Sequence, residues 1–274
     1  MNAGPQLKAQ FLEIGDERLL CTTFTPAEGE PVVGTLCVIQ PFAEELNRAR
    51  MPIKRMAIEA TSFGWTTHVI DLSGTGDSSG DFSNASLGRW RQELQKTLNL
   101  LFRLAPANAA RGLLAIRSSM LLLSGLQLNS ALDRVIAWQP VSSGRKWLRE
   151  FLRIASMRSL SSTEDKPTRK PKDILAESGA IEIAGYWLSR EFADELSQTE
   201  ATIEPELCPA IDIIELGATV SPALQKFDEA LQSGGIASTL IVAPNEPFWR
   251  IQEPVDTNSL STATIQRLRS MVDV

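Results

Sequence analysis

The sequence predicts an α/β fold, a mostly parallel central sheet flanked by helices with a helical cap inserted past the middle of the core. Three observations lead there. Short β-prone apolar runs alternate with helix-period stripes, the pattern of strands joined by crossover helices. Several of those runs are continuously apolar, as strands covered on both faces are. About 70 residues separate the run ending at Trp138 from the one beginning at Ala210, far more than a crossover loop needs.

Residues 10–14 and 19–24 flank Gly15-Asp16-Glu17 and read as an antiparallel pair, with a third strand at 32–39. Asn47 is placed to cap a helix carrying Met51, Ile53, Met56, Ala57 and Ala60 that stops near Gly64. A strand at 66–72 follows. Leu87, Trp90, Leu94, Leu98 and Leu101 recur at spacings of three and four, so 86–104 is a helix with one buried stripe. Residues 112–116 form a central strand, a short helix starts near Ser118, and 134–138 is the next strand. Downstream, strands at 210–216 and 238–242 enclose a helix at 222–232.

The core is therefore expected over 1–142 and 206–274, and the cap over 143–205. In the cap, Trp147, Leu148, Phe151, Leu152 and Ala155 share one helix face while Arg145, Lys146, Arg149 and Arg153 populate the remainder, which makes a basic amphipathic helix. That face either packs the cap onto the core or docks on an anionic membrane surface or membrane partner. Residues 161–172, dense in proline and charge, are expected to be a mobile loop.

With 27 Lys and Arg against 33 Asp and Glu, a net charge of -6, the chain lacks the cationic surplus that binding nucleic acid requires. Cys21, Cys37 and Cys208 are odd in number and scattered, and no Cys or His cluster has metal spacing, so neither disulfides, metal nor cofactor is expected. No stretch approaches the roughly 18 apolar residues of a membrane span, and residues 1–7 lack a basic-then-apolar leader. A cytoplasmic location is expected.

The order of elements resembles that of the α/β-hydrolases, whose chemistry uses a serine at a strand–turn–helix elbow, an acid and a late histidine. Gly76-Asp77-Ser78-Ser79-Gly80 matches G-x-S-x-G, but Gly74 and Thr75 separate it from the preceding strand and Asp81 to Asn84 delay the next helix. It reads as a glycine turn. The elbow belongs after the strand at 112–116, where small Ala115 and Ser119 flank Arg117 and make it the apex; Ser118 as apex would put Ile116 and Met120 in the crowded flanks. A guanidinium stays protonated and cannot attack an acyl group. It can clamp a carboxylate or phosphate, or pair with Glu44 or Glu45.

The loop after the last strand, Ala243 to Arg250, has no histidine, and Leu216 to Pro222 has no carboxylate. His68 is the only imidazole and sits inside a strand, as a core or surface residue rather than a base. Glu44 and Glu45 occupy the loop that would build an oxyanion hole, where acids oppose that role; they can instead cap the next helix or pair with Arg117.

Several stretches together resemble the second type of exosortase A system-associated hydrolase, bacterial proteins encoded with exopolysaccharide and protein-sorting genes. They are Pro41-Phe42-Ala43-Glu44-Glu45-Leu46-Asn47, Asp71 through Phe82, Trp138-Gln139-Pro140-Val141-Ser142-Ser143-Gly144, Ile183 through Ser189, and Glu246-Pro247-Phe248-Trp249 with Glu253. That group's elbow is similar to Gly-Leu-Arg-x-Gly, so Arg117 fits while Ala115 and Ser119 depart from its glycines. The resemblance implies a hydrolase fold and a place in exopolysaccharide or surface-protein sorting. Two readings stay open. In one, a degenerate Ser-His-Asp site binds a small anionic or amphipathic ligand or a sorting partner through Glu44, Glu45, Arg117, Gln139, Glu246 and Trp249. In the other, Ser118 or Ser78 serves an ester or thioester hydrolase with Asp77 or Glu246 as base.

Overall fold

The computed structural model describes residues 4–161, 170–251, 253 and 255–272. Its main sheet has eight strands: β1 (Gln6–Ile14), β2 (Glu17–Thr25), β3 (Gly34–Ile39), β4 (Trp65–Ile70), β5 (Ala110–Ile116), β6 (Arg134–Trp138), β9 (Ala210–Leu216) and β10 (Ala237–Ala243). The spatial order is β1-β2-β4-β3-β5-β6-β9-β10. β1 and β2 form an antiparallel hairpin and β2 meets β4 antiparallel; every other pairing is parallel.

Burial on both faces explains the unbroken apolar runs. Along β3, Leu36 and Val38 face one layer while Cys37 and Ile39 face the other, and β5 and β6 alternate likewise. Helices α1 (Glu44–Thr61) and α7 (Asn258–Arg269) cover the first face through Ile53, Met56, Leu260 and Leu268. Helices α2 (Leu87–Leu104) and α6 (Pro222–Ser233) cover the second through Trp90, Leu94, Leu98 and Phe227. One buried charge ties the layers: Asp212 on β9 is fully buried and pairs with Arg134 at 3.1 Å and with Arg267 of α7 at 2.9 Å.

Between β6 and β9 the chain builds the cap from α3 (Gly144–Ser161), α4 (Pro171–Ser178), the antiparallel hairpin β7 (Ala180–Ile183) and β8 (Tyr186–Ser189), and α5 (Arg190–Gln198). Its two ends close on each other. Gly144 N–H donates to the Thr199 carbonyl at 2.9 Å, Ala201 N–H to Ser142 at 2.8 Å, and Ser143 Oγ bonds the Glu200 carboxylate at 2.8 Å.

Some boundaries differ from the sequence reading. Asn47 does not cap α1; the helix begins a turn earlier at Glu44, after Ala43 at φ 53, and Asn47 Nδ2 donates to the Tyr186 hydroxyl at 3.1 Å. Two acids in the first turn favour that earlier start, because they face the positive end of the helix dipole. The short helix near Ser118 is a 3-10 turn, Arg117–Leu122. Of the loop anticipated at 161–172, residues 162–169 lie outside the described residues, and Pro171 and Lys172 open α4, with proline at the first position where its missing N–H costs nothing.

Candidate functional site

Loop geometry at the C-terminal ends of β3, β5 and β6 sets the site. β5 runs directly into Arg117, which adopts φ 55, and the chain turns at once into the 3-10 segment. Small neighbours permit the turn: Ser119 Oγ accepts from Ile116 N–H at 2.7 Å and lies 2.9 Å from the carbonyls of Ile39 and Ile116, locking the bend to β3.

Arg117 is held on three sides. Its Nη2 and Nε donate to the Glu45 carboxylate at 3.1 and 3.3 Å, its Nη1 to the Gln139 carbonyl at 3.4 Å, and its guanidinium stacks 4.3 Å from the Trp249 ring centroid. Glu150 of α3 approaches to 3.7 Å. Burial pushes the Glu45 carboxyl above the ordinary carboxylate range, and the Arg117 charge opposes that rise. Glu44 turns the other way and pairs with Arg48 at 2.6 Å.

Beside this pair, and bordered by Glu45 of it, lies a cleft of about 480 Å³ walled by α1, α3 and the 3-10 turn at Phe248–Arg250. Glu44, Glu45, Glu150, Arg48, Arg153 and Arg250 supply its charges, three of each sign, and Phe42, Trp147, Phe151 and Trp249 its flat apolar walls. Two donors there are buried without an acceptor among the described residues, Arg48 Nη1 and Trp249 Nε1. The aromatic face of α3 is spent on this wall: Trp147 packs edge-on against Phe42 at 5.7 Å and stacks on Phe151 at 4.9 Å, and both are buried. Neither ring is exposed.

Of the residues named from sequence, Glu45, Arg117, Trp249 and the Gln139 carbonyl converge, and Glu44 lines the same cleft. Gln139, at φ 42, spends its side chain on Leu216 N–H at 2.7 Å and on Glu215 at 3.4 Å. Glu246 is exposed and is not among the residues lining the cleft. Arg48, Glu150, Arg250 and buried Glu215 were missed. Glu150 carried a signal, as the one acid on an otherwise basic helix; so did Glu215, a charge between Ile214 and Leu216.

The serines are occupied in structural roles. Ser118 is fully buried and its Oγ accepts from Phe42 N–H at 2.8 Å. Ser78 Oγ donates to the Asp71 carbonyl at 2.6 Å and accepts from Leu20 N–H at 2.8 Å, stitching the glycine turn to β2. Exposed Asp77 closes that turn by giving its N–H to the Asp71 carboxylate at 3.2 Å. His68 pairs in register with Cys37 on β3, bonds Thr23 through Nδ1 at 2.9 Å, and is driven by burial to a pKa of about 4. β3 stands between its strand and β5, which carries Arg117.

The sequence matches no protein-family model and none of the curated proteins. Solved structures match throughout the chain. Est1E from Butyrivibrio proteoclasticus with bound ferulic acid matches at TM-score 0.64 and 11% identity, over 97% of this chain and 100% of that one. A soluble variant of monoglyceride lipase from Saccharomyces cerevisiae, in complex with a substrate analogue, matches at 0.64 and 10% over 100% and 98%. A Rhizomucor miehei esterase matches at 0.61 and 11% over 99% and 85%. The chain has the α/β-hydrolase fold.

Identities this low carry the architecture and leave the chemistry to the site. In the α/β-hydrolase fold the nucleophile crowns a strand–turn–helix elbow, and the oxyanion hole takes one N–H from the residue after it and one from the loop following β3. Here Arg117 follows β5 directly, Ser118 comes after it, and Phe42 lies in the loop following β3. Phe42 N–H donates to Ser118 Oγ.

No helix among the described residues is long and apolar enough to cross a membrane.

Proposed function

We propose that this α/β-hydrolase-fold chain binds a small anionic ligand with a flat apolar body in the cleft over Arg117 and does not hydrolyse it. The observation that carries the reading is a cleft beside the Arg117–Glu45 pair in which Arg48, Arg153 and Arg250 stand next to the rings of Trp147 and Trp249; two donors on those lining residues, Arg48 Nη1 and Trp249 Nε1, are buried without a hydrogen-bond partner among the described residues. A buried unsatisfied donor costs about 1–3 kcal/mol, and a carboxylate, sulfate or phosphate oxygen that reached either one would recover it. Trp147 and Trp249 supply flat faces for the rest of the ligand. Hydrolysis is disfavoured by a guanidinium at the apex, by the full burial of Ser118, and by a histidine consumed by Thr23.

The resemblance to exosortase A system-associated hydrolases supports a role in bacterial exopolysaccharide or surface-protein sorting, from the cytoplasmic side. Its two most specific strings supply Phe42, Glu44 and Glu45, and Trp249, all of which line the cleft.

The test pairs binding with labelling. Calorimetric titration with 1-naphthyl phosphate should saturate for the wild-type protein and weaken by roughly tenfold or more in Arg48→Met, the scale of one charged hydrogen bond. A fluorophosphonate probe should leave the protein unlabelled. Turnover of a p-nitrophenyl ester that disappears in Ser118→Ala and persists in Arg117→Ala would overturn the proposal.

A further inference from the structure

A second concave surface lies in the cap, on the side of α3 turned towards α4 and α5, with a volume of about 960 Å³. Three helical stripes face it. From α3 come Leu148 and Leu152 with Arg145, Arg149 and Arg153; from α4, Leu175 with Lys172; from α5, Ala193 with Arg190. Each set recurs at spacings of three and four, so one face of every helix borders the groove and the apolar side chains form its floor. The rims are basic. Lys170 adds a further cation, and Asp194 is the one acid among the lining residues.

The arrangement of charge decides the kind of occupant. Arg145, Arg149 and Arg153 stand four residues apart on α3, so their stems are spaced at about 6 Å over about 12 Å of helix. A single-chain lipid brings one headgroup and can satisfy one end of such a ladder. An α-helix bearing acids four residues apart repeats at the same pitch and satisfies all of it.

We propose that the cap groove docks an acidic amphipathic helix of a partner protein, with leucine-type side chains on the floor and Glu or Asp against the two rims. The site is separate from the cleft over Arg117 and meets it only at Arg153, which borders both. A helix seated in the groove therefore touches one wall of the ligand cleft, and binding at either place can be sensed at the other through that side chain.

The probe is a fluorescein-labelled peptide of about four helical turns, with leucine at i, i+3, i+4 and i+7 and glutamate on both flanks, titrated against the full chain by fluorescence anisotropy. Saturable binding is expected that weakens with added salt, falls at least roughly tenfold in the double variant R145E/R149E, and falls similarly in Leu152→Asp. These α3 positions are exposed or half-buried, and circular dichroism of each variant establishes that it folds. A peptide with lysine in place of glutamate should not bind wild type and should gain affinity for R145E/R149E. Absence of binding to wild type, equal binding by the variants, or sedimentation with phosphatidylglycerol vesicles while the peptide is ignored would overturn the proposal, the last in favour of a lipid surface.

Discussion

Arg117 and Glu45 form a two-pronged ion pair at 3.1 and 3.3 Å where the apex of the elbow meets the first turn of α1, roofed by the Trp249 ring. Both side chains are largely withdrawn from water, at 8% and 18% exposure, so the pair is better described as a buried one than as a surface bridge. Losing one member strands the other. Arg117→Met is expected to cost about 3 kcal/mol and Glu45→Gln less, because the amide still accepts from the guanidinium. In urea unfolding the double variant should cost clearly less than the sum of the singles, and strict additivity would show that the two groups do not support each other.

His68 predicts a pH dependence of stability. Its folded pKa of about 4 lies below the ordinary 6.5, because burial disfavours the imidazolium. As pH falls, the unfolded chain takes up the proton first, near 6.5, while the folded protein resists until about 4. Stability contributed by neutral His68 is therefore complete above pH 6.5 and lost across the window down to 4, by roughly 3 kcal/mol at most. His68→Gln should melt less steeply with acid than wild type over that window. Parallel curves would mean that the imidazole is more hydrated than its packing implies.

Ser118→Ala tests the hydrogen bond between Ser118 Oγ and Phe42 N–H. The substitution leaves Phe42 N–H buried without its acceptor, an expected loss of about 1–3 kcal/mol in chemical unfolding. Ser78→Ala removes both an acceptor for Leu20 N–H and a donor to Asp71, and should cost a similar amount by loosening the glycine turn from β2. A nucleophile would behave otherwise, with stability kept and ester turnover lost.

How far the sequence speaks depends on whether burial leaves a period in it. The central strands were legible because both faces are covered and every residue from Leu113 to Ile116 is apolar. The first half of β1 was not read, although Gln6, Leu7, Lys8 and Ala9 alternate polar with apolar; all four are exposed at the sheet edge, so the alternation there marks no buried face. Helix α7 also escaped notice: Ser261 and Thr264 are buried on its inner face, with Thr264 accepting from Trp138 Nε1 at 2.9 Å, so polar residues interrupt the apolar stripe. The cap hairpin has two four-residue strands, too short for a period of two to register. Arg117 could be placed at the turn after β5 because its flanks Ala115 and Ser119 are small, which is a steric rule local in sequence. Its partners could not be singled out that way. Both Glu44 and Glu45 were eligible, and only the helical rotation of α1 sends Glu45 inward and Glu44 to Arg48.

The last prediction concerns Gly144, at the hinge between core and cap. A Cβ built there would fall on the Leu196 carbonyl oxygen and lie 3.2 Å from that of Thr199, both backbone atoms that no rotamer change can move. The Gly144 N–H already donates to that same Thr199 carbonyl, so the two ends of the insertion are held at a spacing that only a residue without a side chain permits. Gly144→Ala must push α3 and α5 apart at their base, at an expected cost of about 1–3 kcal/mol. The sheet layers do not pass through this contact, so the damage should appear first in the cap. Hydrogen exchange should quicken in α3 and α5 while β3, β5 and β6 keep their protection. Uniform loss of protection would show instead that cap and core unfold as one cooperative unit.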